Sequence, residues 1–123
     1  MSDGLAHGIF ATPQPAQRVT IYIGESARWQ GIPLYEAVVL KARELHLAGA
    51  TVLRGPMGFG ASSRIHTARI LRLSEDLPIV IEIVDVAEKV SALLSHLAPM
   101  VADGLVTIED VGVVIYGSSS GKA

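Results

Sequence analysis

The stretch Leu77-Pro-Ile-Val-Ile-Glu-Ile-Val-Asp85 decides the fold, because from Leu77 to Val84 only Pro78 and Glu82 depart from an aliphatic run. A run of this length bounded by proline and aspartate reads as a strand buried on both faces, and therefore as a central one. Downstream, Asp85 followed by Glu88 reads as a helix N-cap with its capping-box partner. Val86, Val90, Leu93, Leu94 and Leu97 then share one helical stripe, and the helix bends or ends near Pro99. Leu105 to Tyr116 is again rich in β-formers, with Glu109 and Asp110 marking a break or bulge in its middle.

Upstream of the central run, Val19, Ile21 and Ile23 alternate with Thr20 and Tyr22 between Arg18 and Gly24, the period of a half-buried first strand. A polar turn from Glu25 to Gly31 leads to Pro33, read as the first helical residue. Leu34, Val38, Ala42 and Leu45 recur at helical spacing until Gly49 offers a stop. Ala50 to Leu53 forms a second, irregular strand that runs into Gly55, Pro56, Gly58 and Gly60. The order βαββαβ predicts an α+β, ferredoxin-like domain: a four-stranded antiparallel sheet with two helices on one face. Its expected span is 18–116, between a flexible N-terminal segment (1–17) and a flexible Ser/Gly-rich tail (117–123).

Bulk composition narrows the function classes. A chain of 123 residues, half of them apolar, builds one core rather than two. The formal net charge of −2 gives no global attraction to nucleic acid or anionic lipid, so an anion site must be local. No cysteine is present, which removes disulfides, thiolate metal sites and cysteine nucleophiles and fits a cytoplasmic chain. No apolar stretch approaches the roughly 20 residues of a membrane helix, so direct membrane insertion is not expected. The mean hydropathy of +0.43 is high for so small a domain. Since the helices cover one sheet face only, burial of the other face against sister subunits accounts for the surplus better than an aliphatic core alone.

The connection from Ala61 to Asp76 runs sixteen residues without a clear period. Ordinary connections are about 4 to 6 residues, so a loop of this length usually carries function. It gathers Ser62, Ser63, Arg64, His66, Thr67, Arg69 and Arg72 directly after a glycine-rich stretch, a composition that suits an anion or a solvated surface. No Gly-Lys-Ser/Thr follows the glycines, so it is not a P-loop. His7, His46, His66 and His96 show no metal-binding spacing. His66, alone in the polar cluster, either touches a ligand or orders the loop. Glu25, Ser26, Arg28 and Trp29 form a second polar group after the first strand, in which Trp29 either stacks on a base or packs. The strands lack the stacking aromatics and basic face of an RNA-recognition module, so no nucleic-acid partner is expected.

Two of these runs carry a resemblance. Gly49-Ala-Thr-Val-Leu-Arg-Gly-Pro-Met-Gly-Phe-Gly60 followed by Leu77 to Asp85 resembles the trimeric PII signal-transduction proteins, in which Gly-Phe-Gly ends the second strand before the T-loop. Gly24-Glu25-Ser26, Pro33-Leu34-Tyr35-Glu36-Ala37 and Ala61-Ser62-Ser63-Arg64-Ile65-His66-Thr67-Ala68 are similar more closely to the uncharacterised PII-like group known as domain-of-unknown-function family 190. The resemblance implies a PII-like homotrimer, a small anionic ligand bound in inter-subunit clefts, and a mobile T-loop-like connection (58–76) that signals to a membrane transporter or enzyme partner.

By position, Gly58, Phe59 and Gly60 match the base of the T-loop, and Asp103-Gly104 match part of the second phosphate-binding loop. The lysine after that Asp-Gly is Leu105 here, the basic residues near the PII C-terminus meet Gly117 and Ser118, and the Arg-Gln after Gly-Phe-Gly is Ala61-Ser62. With those cations gone, an adenine nucleotide ligand is expected to be AMP or ADP rather than ATP. The expected ligand-binding set is Glu25, Arg28, Gly58, Phe59, Gly60, Ser62, Ser63, Arg64 and His66, with no metal, no other cofactor and no catalytic set. The alternative is a small phosphate-directed hydrolase using Arg64 for charge and His66 as acid or base.

Overall fold

In a computed structural model that describes residues 4–58, 66–67 and 77–117, the run expected to be central is one of the two inner strands of a four-stranded antiparallel sheet. In chain order the elements are β1 (Gly8–Gly24), β2 (Arg28–Trp29), β3 (Ile32–Pro33), α1 (Leu34–Glu44), β4 (Thr51–Arg54), β5 (Met57–Gly58), β6 (His66–Thr67), β7 (Pro78–Asp85), α2 (Ala87–Met100) and β8 (Leu105–Tyr116). The sheet order is β4-β7-β1-β8, and two short hairpins, β2-β3 and β5-β6, decorate it. This is the ferredoxin-like α+β arrangement expected from the order of elements.

Alternation along the inner strands builds the core. Val19, Ile21 and Ile23 of β1 and Ile79, Ile81 and Ile83 of β7 are buried beneath Leu34, Val38 and Ala42 of α1 and Val90, Leu93 and Leu97 of α2. Each fully buried aliphatic side chain contributes about 1.5–3 kcal/mol of transfer free energy. β7 was expected to be buried on both faces. Instead Val80, Glu82 and Val84, which face away from the helices, are only half-buried within one chain.

The registers place residues of the four strands in rows across that helix-free face. Leu53, Val80, Tyr22 and Leu105 form an apolar row. Thr51, Glu82, Thr20 and Thr107 form the next, polar row, followed by Val84, Arg18 and Glu109. Arg18 and Glu109 make an ion pair. Its hydrogen bond to Glu109, and then the Glu109 charge, raise the Arg18 guanidinium above its usual range.

Several element ends differ from expectation, each for a local reason. Pro33 is the N-cap of α1 rather than its first residue, and α1 stops before Gly49 because His46 adopts a left-handed conformation (φ 62°). The amides of His46 and Leu47 then donate to the carbonyls of Arg43 and Ala42, both at 3.0 Å, closing a Schellman motif. Asp85 does not cap α2, whose N-cap is Val86 without a side-chain hydrogen bond. The Asp85 carboxylate, 1% exposed, accepts from the amides of Val86 at 2.7 Å and Ala48 at 2.8 Å. It joins the loop after α1 to the end of β7. α2 runs through Pro99 to Met100.

The expected flexible segment 1–17 also needs correction, because β1 begins at Gly8. Gly8 and Ile9 pair with Tyr116 and Ile115, and Gln14 to Gln17 pair with Val113 to Asp110. The irregularity expected at Glu109-Asp110 lies in β1 instead, between Ile9 and Gln14, where Pro13 cannot donate to a ladder. Pro13 packs there so closely on Gly112 that a Cβ on the glycine would sit 2.8 Å from the Pro13 Cβ. Preceding β1, the His7 ring stacks on Tyr116 at 4.5 Å between centroids, and the Gln14 side chain brackets the backbone of Ala6.

Candidate functional site at the Pro78 end of the sheet

β1 ends at Gly24, β7 begins opposite it at Pro78, β8 begins at Leu105 beside Tyr22, and β4 ends at Arg54 opposite Ile79. All the connections carrying candidate site residues therefore leave the sheet at one end. The backbone around Pro78 knits them together. The Glu25 amide donates to the Leu77 carbonyl and the Gly55 amide to the Pro78 carbonyl, each at 2.8 Å. Pro78 lies under the chain leaving β4. A Cβ on Gly55 or Gly58 would lie 2.9 or 3.1 Å from its Cγ, so glycine at these positions permits the close crossing.

Glu25 projects from the end of β1 and makes an ion pair with Arg54, the last residue of β4. Arg28 opens the β2-β3 hairpin, and its Nη2 donates to the Gly31 carbonyl at 2.7 Å. The hairpin turns at Gln30 (φ 49°) and Gly31 (φ 89°), the doubly positive pattern of a two-residue turn that matches strand twist. Trp29 is half-buried against the core and pairs with Ile32, which gives it a packing role. Gly58 pairs with His66 and Met57 with Thr67, so β5 and β6 close the base of the connection.

The structure thus gathers Glu25, Arg28 and Gly58 at one end of the sheet and sets the His66 backbone opposite Gly58. Phe59, Gly60, Ser62, Ser63, Arg64 and the side chain of His66 lie outside the described residues, and with them the Arg64–His66 pair that a hydrolase needs. Arg54 was not singled out from the sequence. Its signal is faint: one arginine ending a β pattern immediately before Gly-Pro. Gly104 also belongs to this end, where a Cβ would lie 2.6 Å from the Tyr22 carbonyl oxygen, so close approach to β1 suffices to require glycine. Among the described residues no group of three or more histidines, acids or cysteines is placed to hold a metal, and no helix is long and apolar enough to cross a membrane.

Solved structures share this architecture. CPII of Thiomonas intermedia K12, described as a nitrogen regulatory PII-like protein bound to ADP, AMP and bicarbonate, superposes with a TM-score of 0.66 at 19% identity, covering 82% of this chain and 90% of that one. A putative PII-like signaling protein of Thermus thermophilus superposes with a TM-score of 0.58 at 21% identity, covering 81% and 89%. The fold is that of the PII-like proteins. More particularly, residues 16–113 match the DUF190 family, described as Uncharacterized ACR, and the chain belongs to it. A UPF0166 protein of Aquifex aeolicus is 35% identical over 94 residues, covering 76% of this chain and 89% of the relative. A second, from Methanocaldococcus jannaschii, is 31% identical over 99 residues, covering 80% and 91%.

Proposed function

We propose that this chain is a cytoplasmic PII-like regulator that binds an adenine nucleotide between subunits of a homotrimer and signals its bound state through the connection 58–76. The observation that carries the reading is the convergence of the Glu25, Arg28 and Gly58 segments at the Pro78 end of a PII-like sheet, where that connection begins. The CPII neighbour, whose structures hold ADP and AMP, supports the ligand class. The open sheet face supports the assembly: its row of Leu53, Val80, Tyr22 and Leu105 is apolar and largely solvent-exposed in a single chain. Leu105, Ala61 and Ser62 stand where PII proteins carry polar or charged clamp residues, which favours a ligand with fewer phosphates than ATP. The partner is a protein that distinguishes liganded from unliganded conformations of the connection.

Calorimetric titration of the full chain with AMP, ADP, ATP and cyclic AMP tests the ligand. AMP or ADP should bind more tightly than ATP, and an absence of binding to all four would refute the reading. Light scattering on the same sample should give the mass of three chains.

A further inference from the structure

The Glu25–Arg54 pair spans the two strand ends from which the site segments leave, and it is poised to exchange. The Arg54 side chain is 54% exposed and that of Glu25 22%. An ion pair so open to water contributes at most a few tenths to about 1 kcal/mol to folding, so opening it costs the fold little. The backbone beneath it is held independently, through the Glu25 amide on Leu77 and the Gly55 amide on Pro78. The two side chains can therefore part without the strand ends separating. Arg28, by contrast, has its guanidinium on the neutral carbonyl of Gly31 inside its own turn.

We propose that Arg54 is the cation that receives the phosphate of the ligand, and that Glu25 is its resident competitor, so that ligand binds by displacing a carboxylate. The inference rests on the nucleotide reading above and names the residues that set its affinity. A guanidinium fork matches a phosphate as it matches a carboxylate, with two parallel charge-assisted bonds. The incoming group must outweigh the Glu25 charge. A terminal phosphate carrying about −1.5 to −2 at neutral pH does so. A monoanionic carboxylate such as acetate merely replaces like with like. Exchange also has a mechanical result, since release of Glu25 removes the side-chain tie between the end of β1 and the end of β4, where the chain enters β5.

The test is calorimetric titration of ADP and AMP into the full-length wild type, Glu25→Gln, Arg54→Gln and the double variant, each first checked for a cooperative melt. Removing the competitor should tighten nucleotide binding about tenfold, and removing the cation should weaken it by about tenfold or more. The double variant should bind like Arg54→Gln, because Glu25 acts only through Arg54. Arg54→Lys, which keeps the charge and loses the fork, should fall between wild type and Arg54→Gln and serves if the glutamine variant does not fold. A pair that merely braces the site would weaken binding in both single variants. That result, or no change in either, overturns the inference and leaves wild-type nucleotide binding in place. Failure of the wild type to bind any adenine nucleotide removes the nucleotide reading itself, and the exchange with it.

Discussion

The two ends of the sheet are tied by different chemistry. At the Asp85 end, a buried carboxylate holds the Val86 and Ala48 amides, the Lys89 ammonium donates to the Leu45 carbonyl at 3.2 Å, and the Tyr116 hydroxyl reaches the Ala48 carbonyl at 3.4 Å. At the Pro78 end, the open Glu25–Arg54 pair is a side-chain tie between strands, set above two backbone hydrogen bonds and glycine–proline contacts. A buried polar group left without its partner is costly, so the first end is permanent. An exposed pair can trade partners with solvent or ligand at little cost, so the second is suited to change.

Denaturant unfolding of single variants can break or sharpen that contrast. Asp85→Ala should show the largest effect, a loss of about 3 kcal/mol, because it strands two amides and leaves a void. Asp85→Asn, which retains an acceptor oxygen, should lose about half as much. Gly104→Ala should cost about 1–3 kcal/mol, because the Tyr22 carbonyl 2.6 Å from the added Cβ is backbone and cannot swing away. It would show that the Pro78 end also contains a rigid element beside its exchangeable one. His46→Gly should raise stability by about 1 kcal/mol, relieving a left-handed residue that bears a side chain. Arg54→Gln should change stability least, by under about 1 kcal/mol. A loss as large as that of Asp85→Ala would end the distinction between the two ends.

What could be read beforehand follows the range of the interactions involved. Alternation at Val19, Ile21 and Ile23 and the helical stripe at Val90, Leu93 and Leu97 are local, periodic signals, and the core uses them as expected. The N-terminal half of β1 was hidden because Pro13 and Pro15 read as loop punctuation. A bulge in β1 itself and Gly112 on β8 opposite, which leaves room for Pro13, accommodate them, a non-local compensation. Asp85 looked like a helix cap because Glu88 follows at the right spacing, yet its second partner is Ala48, far away in the chain. At the site, Glu25 and Gly58 stood out by composition. Arg54 did not, because its meaning depends on a strand pairing that brings it to Glu25.

The strand order has a consequence for how the protein is made. β1 leaves the ribosome first, yet its partners are β7 and β8, and β8 is the last strand of the sheet to emerge. At ordinary elongation rates of about 5–20 residues per second, β1 waits on the order of seconds before its ladder can form. During that interval Val19, Ile21 and Ile23, each buried in the finished protein, have no sheet to join. The nascent chain therefore presents a sticky β segment while translation continues. Its yield in the cell should respond to chaperones that shield such segments more than its equilibrium stability alone would suggest.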